Sequence, residues 1–317
     1  LPIRQHGNTF LSISRDKAIY SLCTGPFRWY FPSSAFRHFT GSMSLDKICL
    51  GRKLGTSLLA GNGCWVDENR KAKEVLILSK GSITIKNGQL VTPFAVFPGT
   101  IVIENGIISY AGSSEHAPLD VNPVLDAEGA YITPGLIDIH VHGGGGGDVM
   151  DGTAEALDLM GQTFARWGTT AFLPATVTAG HRETLQAVAA VKEAAEKGTG
   201  GAQVLGIHLE GPYIDIGKRG AHHPDYVRSP SLEELEEIWR AAGPLLKLVT
   251  LAPEQEGAEA VIRQLRSWDV TVAIGHSNAT YEQVMAAHLW GASHICHMFN
   301  AMRGLHHREP GVVGAAL

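Results

Sequence analysis

Histidine and glutamate residues stand at the ends of four apolar stretches of the chain, where such side chains can bind a metal ion. The first stretch ends in His140 and His142, which are two residues apart and so point to the same side of an extended strand. The other three end in Glu210, His276 and His297. Imidazole and carboxylate ligands suit Zn²⁺, and also Fe²⁺, Mn²⁺ or Co²⁺. An ion held in this way activates water and polarises a carbonyl oxygen, which is the chemistry of hydrolysing an amide.

Each of these residues also has a purely structural interpretation. An HxH pair alone is weak evidence for a metal site. His208 lies deeper in its strand, so we predict a packed, hydrogen-bonded histidine rather than a ligand. We interpret Cys296 as a small core residue and leave out His294, which lies near the start of its strand. Because buried imidazoles and carboxylates need partners, the joint occurrence of these groups at strand ends nevertheless favours a metal site.

Two loops carry further polar groups. Residues 215–225 contain Lys218 and His222 close to glycines, which indicates a mobile lid with anion-binding groups. Residues 299–311 contain Arg308, whose guanidinium can hold a phosphate or carboxylate by two parallel hydrogen bonds. From the spacing alone, solvated loop charges are an equally good interpretation.

Strand and helix patterns alternate from residue 134 onward, and these elements must position the polar groups. Short apolar stretches predict strands at 135–142, 169–177, 203–209, 246–252, 270–275 and 294–299. Amphipathic stretches predict helices at 153–167, 181–197, 231–241, 257–268 and 279–290. Ser231 and Glu234 predict a capping box at the start of the third helix. The repeat favours an α/β fold, a (β/α)₈ TIM-like barrel of which about six of the eight units are present, with its active site at the C-terminal strand ends.

The part of the chain before this repeat divides near residue 74. Residues 1–74 carry 11 Lys/Arg against 5 Asp/Glu, a net charge of +6, whereas the remainder has a net charge of −11. We assign no recognisable domain to residues 1–74 and treat them as an extension of uncertain status. One interpretation is an organelle transit peptide. The interpretation that we favour is an unfolded extension or a wrongly assigned start. Residues 75–133 have the pattern of short strands, with tight hairpin turns predicted at Asn87-Gly88 and Asn105-Gly106.

The overall composition is that of a folded protein with a sizeable core. Hydrophobic residues make up 44% of the 317 residues and charged residues 18%, which excludes extensive disorder. The formal net charge of −5 gives no global attraction to nucleic acid or anionic lipid. No apolar stretch approaches the ~18 residues of a membrane span. Four cysteines without a CxxC pair favour a reducing compartment, so we expect a cytoplasmic location.

The motifs PGLIDIHVHG, HLEGPY, KRGAH, GHSNAT and HMFNAM followed by HHREPG, in this order, resemble the N-acetylglucosamine-6-phosphate deacetylases of the amidohydrolase superfamily. The resemblance runs from about residue 81 to the end and is strongest over 132–317. It implies a (β/α)₈ barrel with a small β-sandwich domain. Residues 75–133 would then be the N-terminal part of that sandwich and 134–317 an incomplete metal-dependent barrel.

The resemblance also implies roles for the candidate metal ligands. Glu210, His276 and His297 match the ligands of the principal metal ion. His140 and His142 match a second-metal pair that only some members possess, so one or two divalent ions are expected.

Substrate contacts follow from the same motifs. The implied residues are His222, Asn300, Ala301, Arg308, Lys218 and His307. His222 matches the group that hydrogen-bonds the substrate carbonyl, which is a catalytic role. Arg308 matches the phosphate-binding arginine, whereas Lys218 and His307 are weaker candidates. The implied substrate is an amino-sugar phosphate that loses its acetyl group in amino-sugar catabolism, and the implied assembly is a homodimer.

The resemblance further implies a general-base Asp at the end of an eighth strand. We expect that residue beyond Leu317, so we predict that the 1–317 polypeptide alone is inactive. The alternatives are another amidohydrolase, such as an N-acetylgalactosamine-6-phosphate deacetylase or a cyclic amidase, or a non-catalytic metal-binding barrel. Many cyclic amidases bridge two metals with a carboxylated lysine on the fourth strand, where this chain has only Lys247 at the strand start.

Overall fold

A computed structural model describes residues 82–317, apart from residues 106, 120 and 122, and the backbone of five short strands before residue 82. The chain divides into two compact units. The first comprises Leu1–Asp138, Gly161–Ala171 and Thr199–Gln203, and the second comprises Ile139–Met160, Phe172–Gly198 and Val204–Leu317. The transit-peptide and extension interpretations concern residues 1–74, most of which lie outside the described residues.

The first unit is built on one large sheet. The strands of this sheet are β1 (Thr9–Arg15), β2 (Ala18–Thr24), β3 (Lys47–Leu50), β6 (Ile83–Val91), β7 (Val96–Glu104), β8 (Ile107–Gly112), β9 (Val124–Asp126) and β10 (Tyr131–Pro134). Two further strands, β4 (Ser57–Ala60) and β5 (Cys64–Asp67), pair with each other in a separate hairpin. The sheet has the order β3-β2-β1-β10-β6-β7-β8, with β9 also paired to β6. Alternating apolar residues such as Ile85, Ile103 and Ile132 are buried on it, which gives this unit its own core.

The two hairpin predictions have different outcomes. The turn at Asn105 is confirmed, because β7 and β8 pair antiparallel with Glu104 opposite Ile107, and Asn105 has a φ of +51°. The prediction of a turn at Asn87-Gly88 is wrong, because β6 continues through both residues. Between the pairs Ile85–Ile101 and Gly88–Gly99, two residues of β6 lie opposite one residue of β7, which is a β-bulge. Asn87, at a φ of +56°, therefore fits a bulge as readily as a turn.

The alternation of strands and helices predicted after residue 134 is confirmed. The strands are β11 (Leu136–Val141), β12 (Gly143–Gly144), β13 (Gly147–Asp148), β14 (Thr169–Pro174), β15 (Gln203–Val204), β16 (Ile207–Glu210), β17 (Leu246–Leu251), β18 (Thr271–Ile274) and β19 (His294–Ile295). The helices are α1 (Ala154–Ala165), α2 (His181–Lys197), α3 (Leu232–Ala242), α4 (Ala258–Ser267), α5 (Tyr281–Trp290) and α6 (Gly311–Ala316). The predicted third strand is split at Leu205 and Gly206 into β15 and β16, and the sixth is only two residues long.

These strands form sheets whose carboxyl ends carry the candidate site. One sheet has the order β11-β14-β15, and β16, β17, β18 and β19 follow one another in a parallel sheet. A parallel bridge between Ala175 and His208 lies between the two sheets. The fold is therefore α/β as predicted, and within the described residues the strands do not close into a barrel.

Helix α3 shows how local sequence fixes an element. Leu235 and Ile238, three residues apart, are buried, as expected for one face of a helix. The Ser231 hydroxyl accepts a hydrogen bond from the backbone N–H of Glu234, so half of the predicted capping box is present. The Glu234 carboxylate instead accepts hydrogen bonds from Arg228. In the described residues, no helix has the length and apolarity needed to cross a membrane.

Candidate metal centre

The candidate site is centred on Glu210, the last residue of β16. Its side chain is only 1% exposed, and it lies among the imidazoles of five histidines. Because β16, β18 and β19 are parallel, their carboxyl ends share one edge of the sheet, which brings the segments after β18 and β19 to Glu210. All six residues belong to the second unit. They are Glu210, His140, His142, His222, His276 and His297.

One oxygen of Glu210 forms a triad with the HxH pair. Oε2 lies 3.1 Å from Nε2 of His140 and 3.0 Å from Nε2 of His142. The two Nε2 atoms are 3.3 Å apart. The alternation of β11 turns both imidazoles to the same side, as the sequence predicts.

The other oxygen of Glu210 forms a second triad. Oε1 lies 3.1 Å from Nε2 of His276 and 3.2 Å from Nε2 of His297, and these two nitrogens are 3.0 Å apart. Both histidines follow the ends of short strands and have positive φ values, +48° for His276 and +28° for His297. Non-glycine residues rarely adopt this conformation, and such strained residues cluster at functional sites.

The hydrogen bonds of the outer ring nitrogens determine which atoms face Glu210. Nδ1 of His142 lies 2.9 Å from the carbonyl oxygen of Ala175, and Nδ1 of His276 lies 2.8 Å from that of Lys218. A carbonyl oxygen can only accept, so each Nδ1 carries the proton. When these imidazoles are neutral, their Nε2 lone pairs point at a carboxylate.

A group of lone pairs directed at a carboxylate needs a cation or added protons between them. Two ligands about 2.05 Å from one tetrahedral ion are about 3.3 Å apart, close to the separations within each triad. Without an ion, protons take this role: burial lowers the pKa of His140, but hydrogen bonds to Cys296 and Glu210 outweigh it and raise the pKa to about 9. The same imidazole hydrogen bonds outweigh burial at Glu210 and hold its pKa far below the usual value. The donor set therefore fits a divalent metal ion.

His222 has the opposite arrangement. Its Nδ1 accepts a hydrogen bond of 3.0 Å from the backbone N–H of Thr178, so the proton of the neutral ring is on Nε2. Nε2 lies 3.6 Å from Oε2 of Glu210, and the side chain is buried. His222 thus directs a hydrogen-bond donor toward Glu210, whereas neutral His142 and His276 direct lone pairs toward it.

His208 is the packed histidine that the sequence predicts. Its Nδ1 donates to the carbonyl oxygen of Ile139, and its Nε2 accepts from the hydroxyl of Thr250. Burial lowers its pKa to about 3, so the ring is neutral. Both ring nitrogens are used within the chain, which leaves no lone pair for a metal.

Cys296 was expected to be a core residue only, and its neighbours show more than that. It is buried, but its Sγ lies 3.3 Å from Nδ1 of His140 and 3.9 Å from Oε1 of Glu210. Strand alternation would turn Cys296 away from a cluster that His297 faces. The positive φ of His297 breaks that alternation, and the sequence gives no signal for it.

The remaining predicted residues lie on two loops around the cluster. Lys218 contributes its backbone carbonyl to His276, and Ala301 accepts from the backbone N–H of Ser277 at a φ of +49°. Asn300, His307 and Arg308 have exposed side chains. The structure therefore brings the proposed metal ligands and His222 together. It exposes Asn300, His307 and Arg308 and leaves Lys218 and Ala301 partly buried.

This fold and donor set define the class of protein. The chain belongs to the amidohydrolase family, whose family model matches residues 131–316. The chain is 45% identical over 220 residues to a Vibrio furnissii protein named N-acetylglucosamine-6-phosphate deacetylase, and this match covers 68% of the chain and 54% of that protein.

Further relatives agree on the family and differ in the sugar. An Escherichia coli O157:H7 protein named N-acetylgalactosamine-6-phosphate deacetylase is 43% identical over 200 residues, which is 63% of the chain and 53% of that protein. The crystal structure of N-acetylglucosamine-6-phosphate deacetylase from Pasteurella multocida aligns with a TM-score of 0.69 at 30% identity, covering 74% of the chain and 62% of that structure. The chain thus spans about half the length of the curated relatives it matches.

Proposed function

We propose that the protein is a metal-dependent hydrolase that removes the acetyl group from N-acetylglucosamine 6-phosphate, giving glucosamine 6-phosphate and acetate. The observation that carries this proposal is the pair of triads sharing the buried Glu210 beside the oppositely protonated His222. The name of the Vibrio furnissii relative supports the choice of substrate.

Each triad would hold one divalent ion, so the protein takes one or two. Glu210 with His276 and His297 would hold the principal ion, and Glu210 with His140 and His142 the second. Zn²⁺, Fe²⁺, Mn²⁺ and Co²⁺ all accept imidazole and carboxylate ligands. A bound ion of this kind lowers the pKa of water and polarises a carbonyl oxygen.

His222 would act on the acetamide of the substrate. Its Nε2–H is the donor that a carbonyl oxygen requires, and this hydrogen bond strengthens as negative charge develops on that oxygen. Because His222 is buried, the donated hydrogen bond is weakly screened by water. The backbone N–H of Thr178 holds the ring in the required tautomer before substrate binds.

The exposed loops would hold the sugar and its phosphate. Arg308 would bind the phosphate, with Lys218 and His307 as weaker contributors, and Asn300 and Ala301 would contact the sugar. We expect Arg308→Ala to weaken binding of the phosphorylated sugar by roughly 2–4 kcal/mol and to leave N-acetylglucosamine unaffected. Calorimetry on the metal-loaded protein measures the binding affinity of both sugars. An equal loss of affinity for both would show that Arg308 does not bind the phosphate.

Product formation tests the reaction itself. Acetate and free amine are measured after incubation of N-acetylglucosamine 6-phosphate with the Zn²⁺-loaded gene product at its encoded length, with a hydantoin as the cyclic amide control. We expect equal amounts of acetate and amine, and no opening of the hydantoin. Turnover of the hydantoin without acetate release would replace the deacetylase by a cyclic amidase. Metal binding without any hydrolysis would identify a non-catalytic barrel.

An N-acetylgalactosamine-6-phosphate deacetylase is the second candidate, because a relative of that name is 43% identical to the chain. The two sugars differ only in the configuration at one hydroxyl group. The ratio of kcat/KM for the two substrates decides between them, and we expect the glucosamine substrate to have the higher value.

We also propose that the protein is a cytoplasmic homodimer. Light scattering on the purified protein gives its mass in solution, and fractionation of the source cells gives its location. A monomeric mass that does not change with concentration would contradict the dimer.

A further inference from the structure

Cys296 lies at a contact that links the two triads. Its Sγ is 3.3 Å from Nδ1 of His140, the ring nitrogen that faces away from the HxH triad. The same sulfur is 3.9 Å from Oε1 of Glu210, the oxygen of the other triad. A neutral thiol can accept at its sulfur from an N–H and direct its own S–H to a carboxylate.

The residues around Cys296 pack closely against its side chain. A Cβ atom built on Gly275 would lie only 2.7 Å from the Cβ of Cys296, so at this position only glycine allows the backbone to come so close. Cys296 also packs with Leu173, Leu248 and Ala273 in a small apolar cluster. The sulfur is therefore held in one place against His140.

The histidines of the cluster show what this contact does. A metal-binding histidine needs an acceptor at the ring nitrogen that does not bind the metal, because that acceptor fixes the tautomer and the ring orientation. His142 uses the carbonyl oxygen of Ala175, and His276 uses that of Lys218. At the corresponding nitrogen of His140, the sulfur of Cys296 lies within hydrogen-bond distance.

We propose that Cys296 is the positioning residue of His140: its sulfur accepts the Nδ1 proton, so that the Nε2 lone pair is presented to the ion of the HxH triad. This inference rests on the metal site of the proposed function and adds a residue to it. It predicts that Cys296 affects the ion position of the HxH triad more than the other position, because His140 belongs to that triad only.

The test compares Cys296→Ala, which removes the acceptor, with Cys296→Ser, which keeps one. Zn²⁺ stoichiometry and dissociation constants are measured on the full chain by competition with a chromophoric chelator. His142→Ala serves as the reference that lacks the ion of the HxH triad. We expect Cys296→Ala to weaken the affinity for that ion by roughly 10–100-fold, because outer hydrogen-bond partners of metal ligands have effects of this size. In Cys296→Ser the affinity should lie within about threefold of that of the unchanged protein.

A second pair of variants separates the acceptor from packing. Cys296→Thr and Cys296→Val have nearly the same volume, and only the first carries an oxygen. We expect Thr to bind the second ion more tightly than Val does. These two variants also provide the test if Cys296→Ala does not fold, as judged by circular dichroism.

The outcomes that would overturn the inference are distinct from those against the function. Equal affinity in Cys296→Ala and the unchanged protein, or an equal loss in Cys296→Ser, would exclude the positioning role and leave the metal site in place. A sulfur-to-cobalt charge-transfer band in the Co²⁺-loaded protein would show instead that Cys296 binds the ion directly. Absence of bound Zn²⁺ in the unchanged protein would overturn the proposed function itself.

Discussion

Two glutamates in the second unit, Glu210 and Glu234, each gather several polar side chains, and they differ in what balances their charge. Glu234 accepts hydrogen bonds from both Nε and Nη2 of Arg228, and a third from the Tyr213 hydroxyl at 3.2 Å. Glu210 is surrounded by imidazoles, and in two of them, His142 and His276, the outer nitrogen is already bonded to a backbone carbonyl oxygen. Glu234 thus has a permanent cation within the chain, whereas Glu210 has neighbouring groups that could bind a cation.

The comparison shows why a count of histidines around a carboxylate does not by itself indicate a metal site. His181 contacts Glu234 through Nδ1 at 3.1 Å and Glu237 through Nε2 at 2.6 Å, so this cluster also combines imidazole and carboxylates. Arg228 has already neutralised Glu234, and both nitrogens of His181 face acceptors. A cation is favoured only where lone pairs converge without a fixed positive charge, as at Glu210.

The largest expected effect that tests this contrast is the loss of both ions in Glu210→Gln. Each carboxylate oxygen serves one triad, so one substitution removes a charged ligand from both. We expect metal content by elemental analysis to fall below one ion per chain. Glu234→Gln is the matched control and should keep the metal content of the unchanged protein. Full metal content in Glu210→Gln would remove Glu210 from the site.

The next effect separates the two triads from each other. His142→Ala and His276→Ala should each lose one ion and keep the other, because each histidine belongs to one triad only. Zn²⁺ titration with chelator competition measures the number of ions bound. Loss of both ions in either single variant would mean that neither position holds an ion unless the other is filled.

A smaller effect is expected on folding at Glu234. Removing its charge leaves Arg228 half-buried without its carboxylate, so we expect Glu234→Gln to lower the free energy of unfolding by about 1.5–3 kcal/mol at pH 7. Urea denaturation in the presence of a chelator measures this change without a contribution from metal. Glu237→Gln is the control, because Glu237 is exposed on the surface and its loss should cost less than about 1 kcal/mol.

The smallest expected effect is the pH dependence of the difference in free energy of unfolding between Glu234→Gln and the unchanged protein. Burial raises the pKa of Glu234, but the hydrogen bonds and charge of Arg228 outweigh it and hold the pKa below 4.5, its ordinary value. A lowered folded-state pKa gives stability that is present above 4.5 and is lost as pH falls through the folded-state value. The gap between Glu234→Gln and the unchanged protein should therefore be full at pH 7 and should shrink below about pH 4.5. A gap that does not change with pH would contradict this assignment.

The parts of the site that follow regular geometry could be predicted from the sequence. His140 and His142 share a face because a strand alternates, and Glu210 ends a buried strand. The parts that depend on irregular backbone could not be predicted in this way. The left-handed φ of His297 places Cys296 against His140, and propensity has no signal for that conformation in histidine. The turn predicted at Asn87 failed for a related reason, since a bulge and a hairpin turn favour the same residues.

The side chain of Glu210 has one consequence for how the protein is loaded. Since a single carboxylate supplies an oxygen to each triad, an ion at one position would draw electron density from the oxygen that serves the other. Two bound charges would also repel each other at this short separation. We therefore expect negatively cooperative loading, in which protein prepared with limiting metal would accumulate singly loaded molecules and its average metal content would understate the number of positions.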